Sequence, residues 1–147
     1  MGKWELEDKS FKNESPGKYE LKTVRFELKE TPMGGLEQLS DVTYTSGNQM
    51  YAPPTEFEYF IPDYNTNGIS YMDVQKNTSG QTFTTNGKVT SDQYNSYTVT
   101  AMYPDKPTVM QYQYTVSLQD GKWHQIMKSY NRDGKQNGTV TFDMHRM

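Results

Sequence analysis

The sequence predicts an all-β fold, a single antiparallel up-and-down β-barrel of about ten strands. Three observations support this prediction. Turn signals recur about every 10 to 15 residues along the chain. Several of the segments between them alternate apolar and polar residues with a period of two, as half-buried antiparallel strands do. No window of about eleven or more residues shows the apolar stripe of an amphipathic helix.

The predicted strands are bounded by turn residues. Asn67-Gly68 and Asp120-Gly121 are dipeptides that tolerate the positive φ angles of tight hairpin turns. In the last segment, Val140, Phe142 and Met144 alternate with polar residues and therefore share one face. Ten strands are predicted, near residues 3–11, 18–29, 36–46, 55–61, 68–75, 81–89, 95–103, 108–118, 122–130 and 138–146.

The strand count alone leaves two architectures open. An open sheet of this size exposes two edges that invite aggregation, and closure into a barrel removes both. We therefore expect a closed barrel, with a two-layer sandwich as the alternative. The best candidate for helical structure is a short turn around residues 35–40.

The composition predicts one folded domain over residues 1–147 with an unusual core. Leu, Ile, Val and Phe together make up about 16% of the chain, below the roughly 20% at which disorder becomes a concern. A net charge of only -3 gives little self-repulsion, and 12 Tyr, 9 Met and 2 Trp supply large side chains for a core. The interior is therefore expected to be aromatic and partly polar.

Composition also excludes several classes of site and partner. The absence of cysteine excludes disulfides, zinc–thiolate sites, iron–sulfur clusters and a cysteine nucleophile. Lys and Arg occur singly in an acidic chain, so nucleic acid is not an expected partner. No apolar run is long enough to span a membrane, and no secretory signal is recognised. We expect a soluble protein, cytoplasmic or exported with its signal removed, with no cofactor or metal; a homodimer is left open.

Gly2-Lys3-Trp4, at the start of the first predicted strand, resembles the Gly-x-Trp opening of calycins. That group includes lipocalins, fatty-acid-binding proteins, nitrobindin-like barrels and bacterial families of unknown function. In the calycin pattern the Trp lies near the closed end of the barrel, beneath a basic residue from a late strand, and Arg146 would fill that position here. Gly34-Gly35-Leu36 and the segments 57–63 and 120–132 are similar to the bacterial members. The resemblance implies a barrel that binds ligands in its interior.

Aromatic residues on the apolar faces are the strongest local indication of a binding site. Phenol rings offer flat apolar area together with hydroxyls that need partners when buried, which suits an aromatic or otherwise amphipathic ligand. The competing interpretation is that these rings only fill the barrel. The predicted ligand-binding residues are Phe26, Tyr44, Tyr59, Tyr71, Asp73, Tyr97, Tyr112, Tyr114 and Met127.

Asp73 is the one acidic residue in this predicted set, in phase with Ile69 and Tyr71. If that face is internal, Asp73 is a buried carboxyl group that could anchor a ligand or act as a general base. More commonly such an Asp lies at a strand end and faces water. Arg25 is a candidate partner, although its position between apolar neighbours places it out of phase with them.

The two histidines give little support for a haem or metal site. Nitrobindin-like barrels supply a haem ligand from a late-strand His, which His145 resembles by position. Because Phe142 and Met144 are predicted to point inward, His145 is expected to point outward. His124 has no Cys or second His at metal-ligand spacing.

Three functions follow from this pattern. The first is binding of a small amphipathic or aromatic ligand by a non-catalytic carrier or sensor. The second is a small cyclase or isomerase that uses Asp73 with a neighbouring Tyr as acid and base. The third is a cell-envelope or protein-interaction module that uses polar outer faces such as Gln111, Gln113 and Thr115.

Overall fold

The computed structural model describes residues 2–14, 19–46, 49–51, 55–76 and 79–147. The regular structure in these residues is entirely β, and none of them belongs to a helix that could cross a membrane. In chain order the strands are β1 (Gly2–Leu6), β2 (Lys12–Asn13), β3 (Tyr19–Glu30), β4 (Leu36–Ser46), β5 (Gln49–Tyr51), β6 (Glu56–Asp63), β7 (Gly68–Lys76), β8 (Thr82–Gln93), β9 (Ser96–Tyr103), β10 (Lys106–Gln119), β11 (Lys122–Tyr130) and β12 (Gln136–Arg146).

Ten of these strands form a closed antiparallel barrel. Hydrogen-bonded neighbours follow the order β1-β3-β4-β6-β7-β8-β9-β10-β11-β12, and β12 pairs with β1 to close the ring. At the closing strand, Trp4 lies opposite Phe26 on one side and Arg146 on the other. The short strands β2 and β5 pair with β12 and β4. The predicted barrel is confirmed, and the sandwich alternative is wrong.

Most strand boundaries agree with the prediction to within two residues, but three features differ. The first strand ends at Leu6, because the chain turns at Lys9, whose φ is 60°, and Ser10 hydrogen-bonds to the backbone of Asp143. Strand β8, which was predicted to end near residue 89, continues to Gln93. The helical turn expected around residues 35–40 is wrong, since β4 begins at Leu36.

One half of the interior, which we call the tryptophan end, is filled with apolar side chains. The ring centroids of Trp4 and Trp123 lie 5.5 Å apart, and those of Phe26 and Trp123 lie 5.6 Å apart. The guanidinium carbon of Arg146 lies 5.2 Å from the Trp4 ring centroid, which is a cation–π distance. Arg146 therefore lies against Trp4, as the sequence resemblance implied. The rest of this core includes Leu28, Phe60, Val99, Val116 and Met144.

Beside the tryptophan end, the inward side chains become polar, beginning with Gln125, whose Oε1 accepts a hydrogen bond from Trp123 Nε1 at 3.1 Å. The buried polar residues are Gln38, Ser40, Glu58, Asp73, Thr85 and Gln125, and all but Gln125 lie on the adjacent strands β4, β6, β7 and β8. Buried polar groups require hydrogen-bond partners, so this wall of the barrel is where a site is expected.

Gly87 allows β8 and β9 to approach each other closely beside this wall. It pairs with Tyr71 on β7 and with Ala101 on β9. A Cβ atom added to Gly87 would lie only 2.1 Å from the carbonyl oxygen of Thr100. Glycine is therefore the residue that fits this backbone approach.

Candidate ligand-binding cavity

A cavity of about 320 Å³ lies inside the barrel, next to the apolar core of the tryptophan end. Its apolar walls come from β3 and β4 and from β11 and β12, the strands on either side of β1. They are formed by Leu21, Val24, Phe26, Val42, Met127 and Phe142. Its polar wall comes from β4, β6, β7, β10 and β11. The polar lining comprises Ser40, Glu56, Glu58, Tyr71, Asp73, Gln75, Gln111, Tyr112, Tyr114 and Gln125.

A larger groove of about 500 Å³ lies along the outer surface, beside β8 and β9. Its lining includes Lys88, Met102 and Pro107 but no carboxyl group among the residues that the structure describes there. Binding sites combine apolar area with a few convergent polar groups, and the interior cavity has that combination. The interior cavity is therefore the candidate site.

The structure brings six of the nine predicted site residues together on the cavity wall: Phe26, Tyr71, Asp73, Tyr112, Tyr114 and Met127. The other three lie elsewhere. Tyr97 packs against Phe60 at a centroid distance of 6.0 Å, within the core. Tyr44 packs edge-on against Tyr19 at 5.8 Å, in the part of the barrel away from the tryptophan end.

Tyr59 points out of the barrel, so its expected inward orientation is wrong. It alternates with Glu58 and Phe60, which are both buried, and it stacks on Phe57 at a centroid distance of 6.4 Å. The sequence pattern predicts that the face of β6 that contains Tyr59 points inward. The physical reason for the reversal is that the inward face also contains Phe60, which joins the core.

Three carboxyl groups meet on this inward face. Glu58 lies directly opposite Asp73 in the pairing of β6 with β7. Glu56 lies two residues before Glu58, on the same face of β6. Glu58 is 6% exposed and Asp73 is 3% exposed. The expectation that an Asp in this sequence context faces water is therefore wrong. Sequence reasoning missed both glutamates; their shared phase with Phe60 was the signal that could have found them.

Tyrosine hydroxyls bind two of these carboxyl groups. Tyr114 Oη and Tyr71 Oη donate to Glu58 Oε2 at 2.5 and 2.6 Å. The hydroxyl oxygens of Tyr71 and Tyr112 lie 2.8 Å apart, and Tyr112 Oη lies 3.2 Å from Asp73 Oδ2. A phenol has one proton. Since Tyr71 gives its proton to Glu58, the one proton of Tyr112 is shared between Asp73 Oδ2 and Tyr71 Oη.

Burial dominates the acid–base chemistry of the three carboxyl groups. It raises the pKa of Glu58 to about 7, although hydrogen bonds from Tyr114 and Tyr71 oppose the rise. Burial also raises the pKa of Glu56, and the neighbouring Glu58 and Asp73 raise it further. The pKa of Asp73 is raised by burial as well. Neighbouring groups of this kind share protons, so the cluster does not hold three full negative charges at neutral pH.

The phenols stay protonated and act as donors. Burial raises the pKa of Tyr71, of Tyr112 and of Tyr114, and the adjacent carboxyl groups add to the rise. The polar wall therefore presents fixed O–H donors to the carboxyl groups, and Glu56, Glu58 and Asp73 all line the cavity.

Two oxygens on the cavity wall, Ser40 Oγ and Gln111 Oε1, are buried without a hydrogen-bond partner, and Asp73, whose Oδ1 is also buried, shares a hydrogen bond with Glu56. Gln111 was expected to point outward, and that expectation is wrong. The register between β9 and β10 shifts between Met110 and Tyr112, so a bulge at Gln111 interrupts the alternation of faces. Nothing in the alternating sequence pattern indicates this bulge.

The basic candidates lie outside the cavity. Arg25 is exposed on the outer face of β3. The two ring nitrogens of His145 each lie 2.8 Å from a carboxylate oxygen, of Glu5 and of Glu7, on the outer surface, as its strand parity predicts. His124 is exposed and pairs with Asp143. Within the described ranges, no group of His, Cys, Asp or Glu has a geometry that could hold a metal ion.

A scan against models of known protein families finds no match to this chain, and no curated protein matches its sequence. The functional argument therefore depends on the chemistry of the cavity itself, because a barrel fold alone is compatible with many functions.

Proposed function

We propose that this protein binds a small, partly apolar molecule inside its barrel, as a non-catalytic carrier or sensor. The observation that supports the proposal is the interior cavity of about 320 Å³, within the usual range for small-molecule pockets. Apolar walls and one polar wall would provide area for an amphipathic or aromatic ligand and fix its orientation. The proposed contacts are Phe26, Tyr71, Asp73, Tyr112, Tyr114 and Met127. The calycin resemblance implies the same kind of interior binding.

A volume change inside the cavity tests this proposal. Val42 lines the cavity, and Thr43, the next residue of β4, lies outside its lining. We expect Val42→Phe to weaken binding of the neutral dye N-phenyl-1-naphthylamine at least ten-fold, because the added ring occupies the ligand volume, and Thr43→Phe to leave it unchanged. Dye emission and quenching of the tryptophan fluorescence measure binding. Equal affinity in the wild-type protein and both variants would contradict interior binding.

The natural ligand can be sought directly. Native mass spectrometry of protein purified from its own host would detect a small molecule that remains bound and give its mass. We expect that molecule to be displaced by the dye in wild-type protein, because both would occupy the same interior cavity.

A second candidate function is acid–base catalysis, which the Tyr112–Asp73 contact of 3.2 Å favours. A buried carboxyl beside a phenol could move a proton within a bound substrate, as a cyclase or isomerase requires. Incubation of the co-purified molecule with a small amount of protein distinguishes the two functions. Conversion that Asp73→Asn abolishes would indicate an enzyme, and recovery of the molecule unchanged would indicate a binding protein.

A further inference from the structure

The polar wall of the cavity contains three acidic residues and no basic residue. Glu56, Glu58 and Asp73 line it, and none of the described residues that line the cavity is Lys, Arg or His. Burial of a carboxylate without a counter-charge costs several kcal/mol. A positively charged ligand would supply the missing counter-charge in the place where the fold provides none.

The unpartnered oxygens on the same wall call for hydrogen-bond donors. Gln111 Oε1 can only accept hydrogen bonds, and Ser40 Oγ can accept one. Asp73 accepts further donors when it is ionised, beside the hydrogen bond that it shares with Glu56. Ser40 is 4% exposed and lies directly opposite Glu56 in the pairing of β4 with β6. Its hydroxyl therefore belongs to the wall that holds the carboxyl groups. A primary ammonium group has three donors and no acceptor, and it matches this set.

The rest of the cavity fits an apolar body attached to that cation. Phe26, Val42, Met127 and Phe142 form walls without charge. The described residues contain no group of His, Cys, Asp or Glu that could hold a metal ion, and the apolar walls favour a cation attached to an organic body.

We propose that the ligand of this cavity is an organic cation, an ammonium or amidinium group on an apolar body, held between Glu58, Asp73 and Ser40. The proposal rests on the proposed function, since it names the chemical class of the interior ligand. The cationic group occupies the polar wall, and the apolar body lies against the walls around Phe142 and Met127.

Binding of such a ligand is coupled to proton release. The cation favours the ionised carboxyl groups, which share protons when the cavity holds no cation. The titratable groups that face Glu58 are Glu56 on the same strand, Asp73 and Tyr71 on β7, Tyr97 on β9, and Tyr112 and Tyr114 on β10. The phenols keep their protons, so the carboxyl cluster is the source of the released protons.

Three probes that share one aromatic body test the proposal: 2-naphthylmethylamine, 2-naphthylmethanol and 2-naphthoate. Isothermal titration calorimetry at pH 6.5 gives each affinity, and titration in phosphate and in the zwitterionic buffer ACES, which both buffer at this pH, gives the number of protons released. We expect the amine to bind at least ten-fold more tightly than the alcohol, with net proton release, and the carboxylate to bind most weakly. The alcohol is expected to release no protons.

Two variants test whether the carboxyl groups cause the preference for the amine over the alcohol. Glu58→Gln and Asp73→Asn each keep the shape of the side chain and remove its charge, and we expect each to lower the amine-to-alcohol preference at least five-fold. Glu30→Gln is the control, because Glu30 is exposed at the end of β3. Thermal unfolding of each variant verifies that it is folded.

The outcomes separate the two proposals. Equal binding of the amine and the alcohol, both weakened by Val42→Phe, would overturn the cationic ligand and leave interior binding supported. A preference for the amine that survives in both Glu58→Gln and Asp73→Asn would also overturn it. Failure of all three probes and of the neutral dye would overturn both proposals.

Discussion

Glu58 is the residue on which the chemistry of the cavity depends most. Two phenols donate to one of its carboxyl oxygens, and Gln38 Nε2 lies 3.5 Å from the other. The hydrogen bonds from the two phenols stabilise the ionised form of Glu58. Burial destabilises that form and has the larger effect, so the pKa of Glu58 rises to about 7. A residue that destabilises the empty barrel when ionised yet contacts the proposed ligand is typical of a binding site rather than of a structural core.

The pH dependence of stability follows from that residue. A carboxyl whose pKa is raised on folding contributes full stability below its ordinary pKa of 4.5, and it loses this contribution as the pH rises through the folded value. The rise to about 7 corresponds to roughly 3 kcal/mol. We expect ligand-free protein to lose stability between pH 4.5 and 8, and Glu58→Gln to lose less over that interval, while Glu56 and Asp73 still titrate in the variant.

Urea unfolding at pH 4.5, 6 and 8 measures this difference. Glu30→Gln, at an exposed position, should follow the wild-type curve. His145 also has a pKa that is raised on folding, chiefly by its hydrogen bond with Glu5, and its contribution falls in the same direction. Because His145 is present in every variant, its effect cancels in the comparison. Parallel curves for the wild type and Glu58→Gln would show that Glu58 does not titrate in this interval.

At the scale of elements, the register of β6 with β7 creates the site. It places Glu58 opposite Asp73 and Glu56 opposite Gln75, so the polar side chains of two strands face one another across the same wall. On β10, the bulge at Gln111 adds another polar side chain to this wall. The polar cluster therefore depends on the register of β6 with β7 and on the bulge in β10.

The close approach of β8 to β9 makes a separate prediction about stability. In Gly87→Ala the new methyl group would meet the backbone of Thr100, so the strands must move apart, and we expect a loss of about 2 kcal/mol or more. Gly68→Ala is the matched control, because a Cβ there lies 3.4 Å from its nearest neighbour, a side-chain oxygen of Thr66. Chemical denaturation measures both. A Gly87→Ala variant as stable as Gly68→Ala would contradict the observed approach of the strands.

At the scale of the whole molecule, one end of the barrel contains the packed core and the other contains the cavity. The tryptophan end is packed with rings and aliphatic side chains, and Arg146 covers Trp4 at the seam where β1 meets β12. The other half keeps the cavity and its polar wall. The stability of the packed half compensates for the poorly satisfied groups in the cavity half, since polar groups without partners destabilise a fold.

The closed ring predicts cooperative unfolding. Trp4 on β1 packs against Trp123 on β11, so their contact depends on closure at β12. We expect tryptophan fluorescence and far-ultraviolet circular dichroism to report one coincident urea transition, as a single domain does. Trp4→Ala should shift that transition by about 3–5 kcal/mol without splitting it. Two separate transitions would contradict a single cooperative barrel.

The sequence determined the class of the fold and the position of most strands, because alternation and turn dipeptides are local properties of the chain. It also indicated a polar, aromatic interior, which Tyr71, Tyr112 and Tyr114 now form. Asp73 was among the predicted site residues, although its burial depended on which face of β7 turned inward.

Only the tertiary structure decided how the site is assembled. The inward face of β6 was fixed by the packing of Phe60 in the core, and this turned Glu56 and Glu58 inward and Tyr59 outward. The bulge at Gln111 and the register that joins Glu58 to Asp73 are likewise properties of paired strands. A single strand specifies two faces, but the neighbouring strands and the core determine which of them points into the barrel.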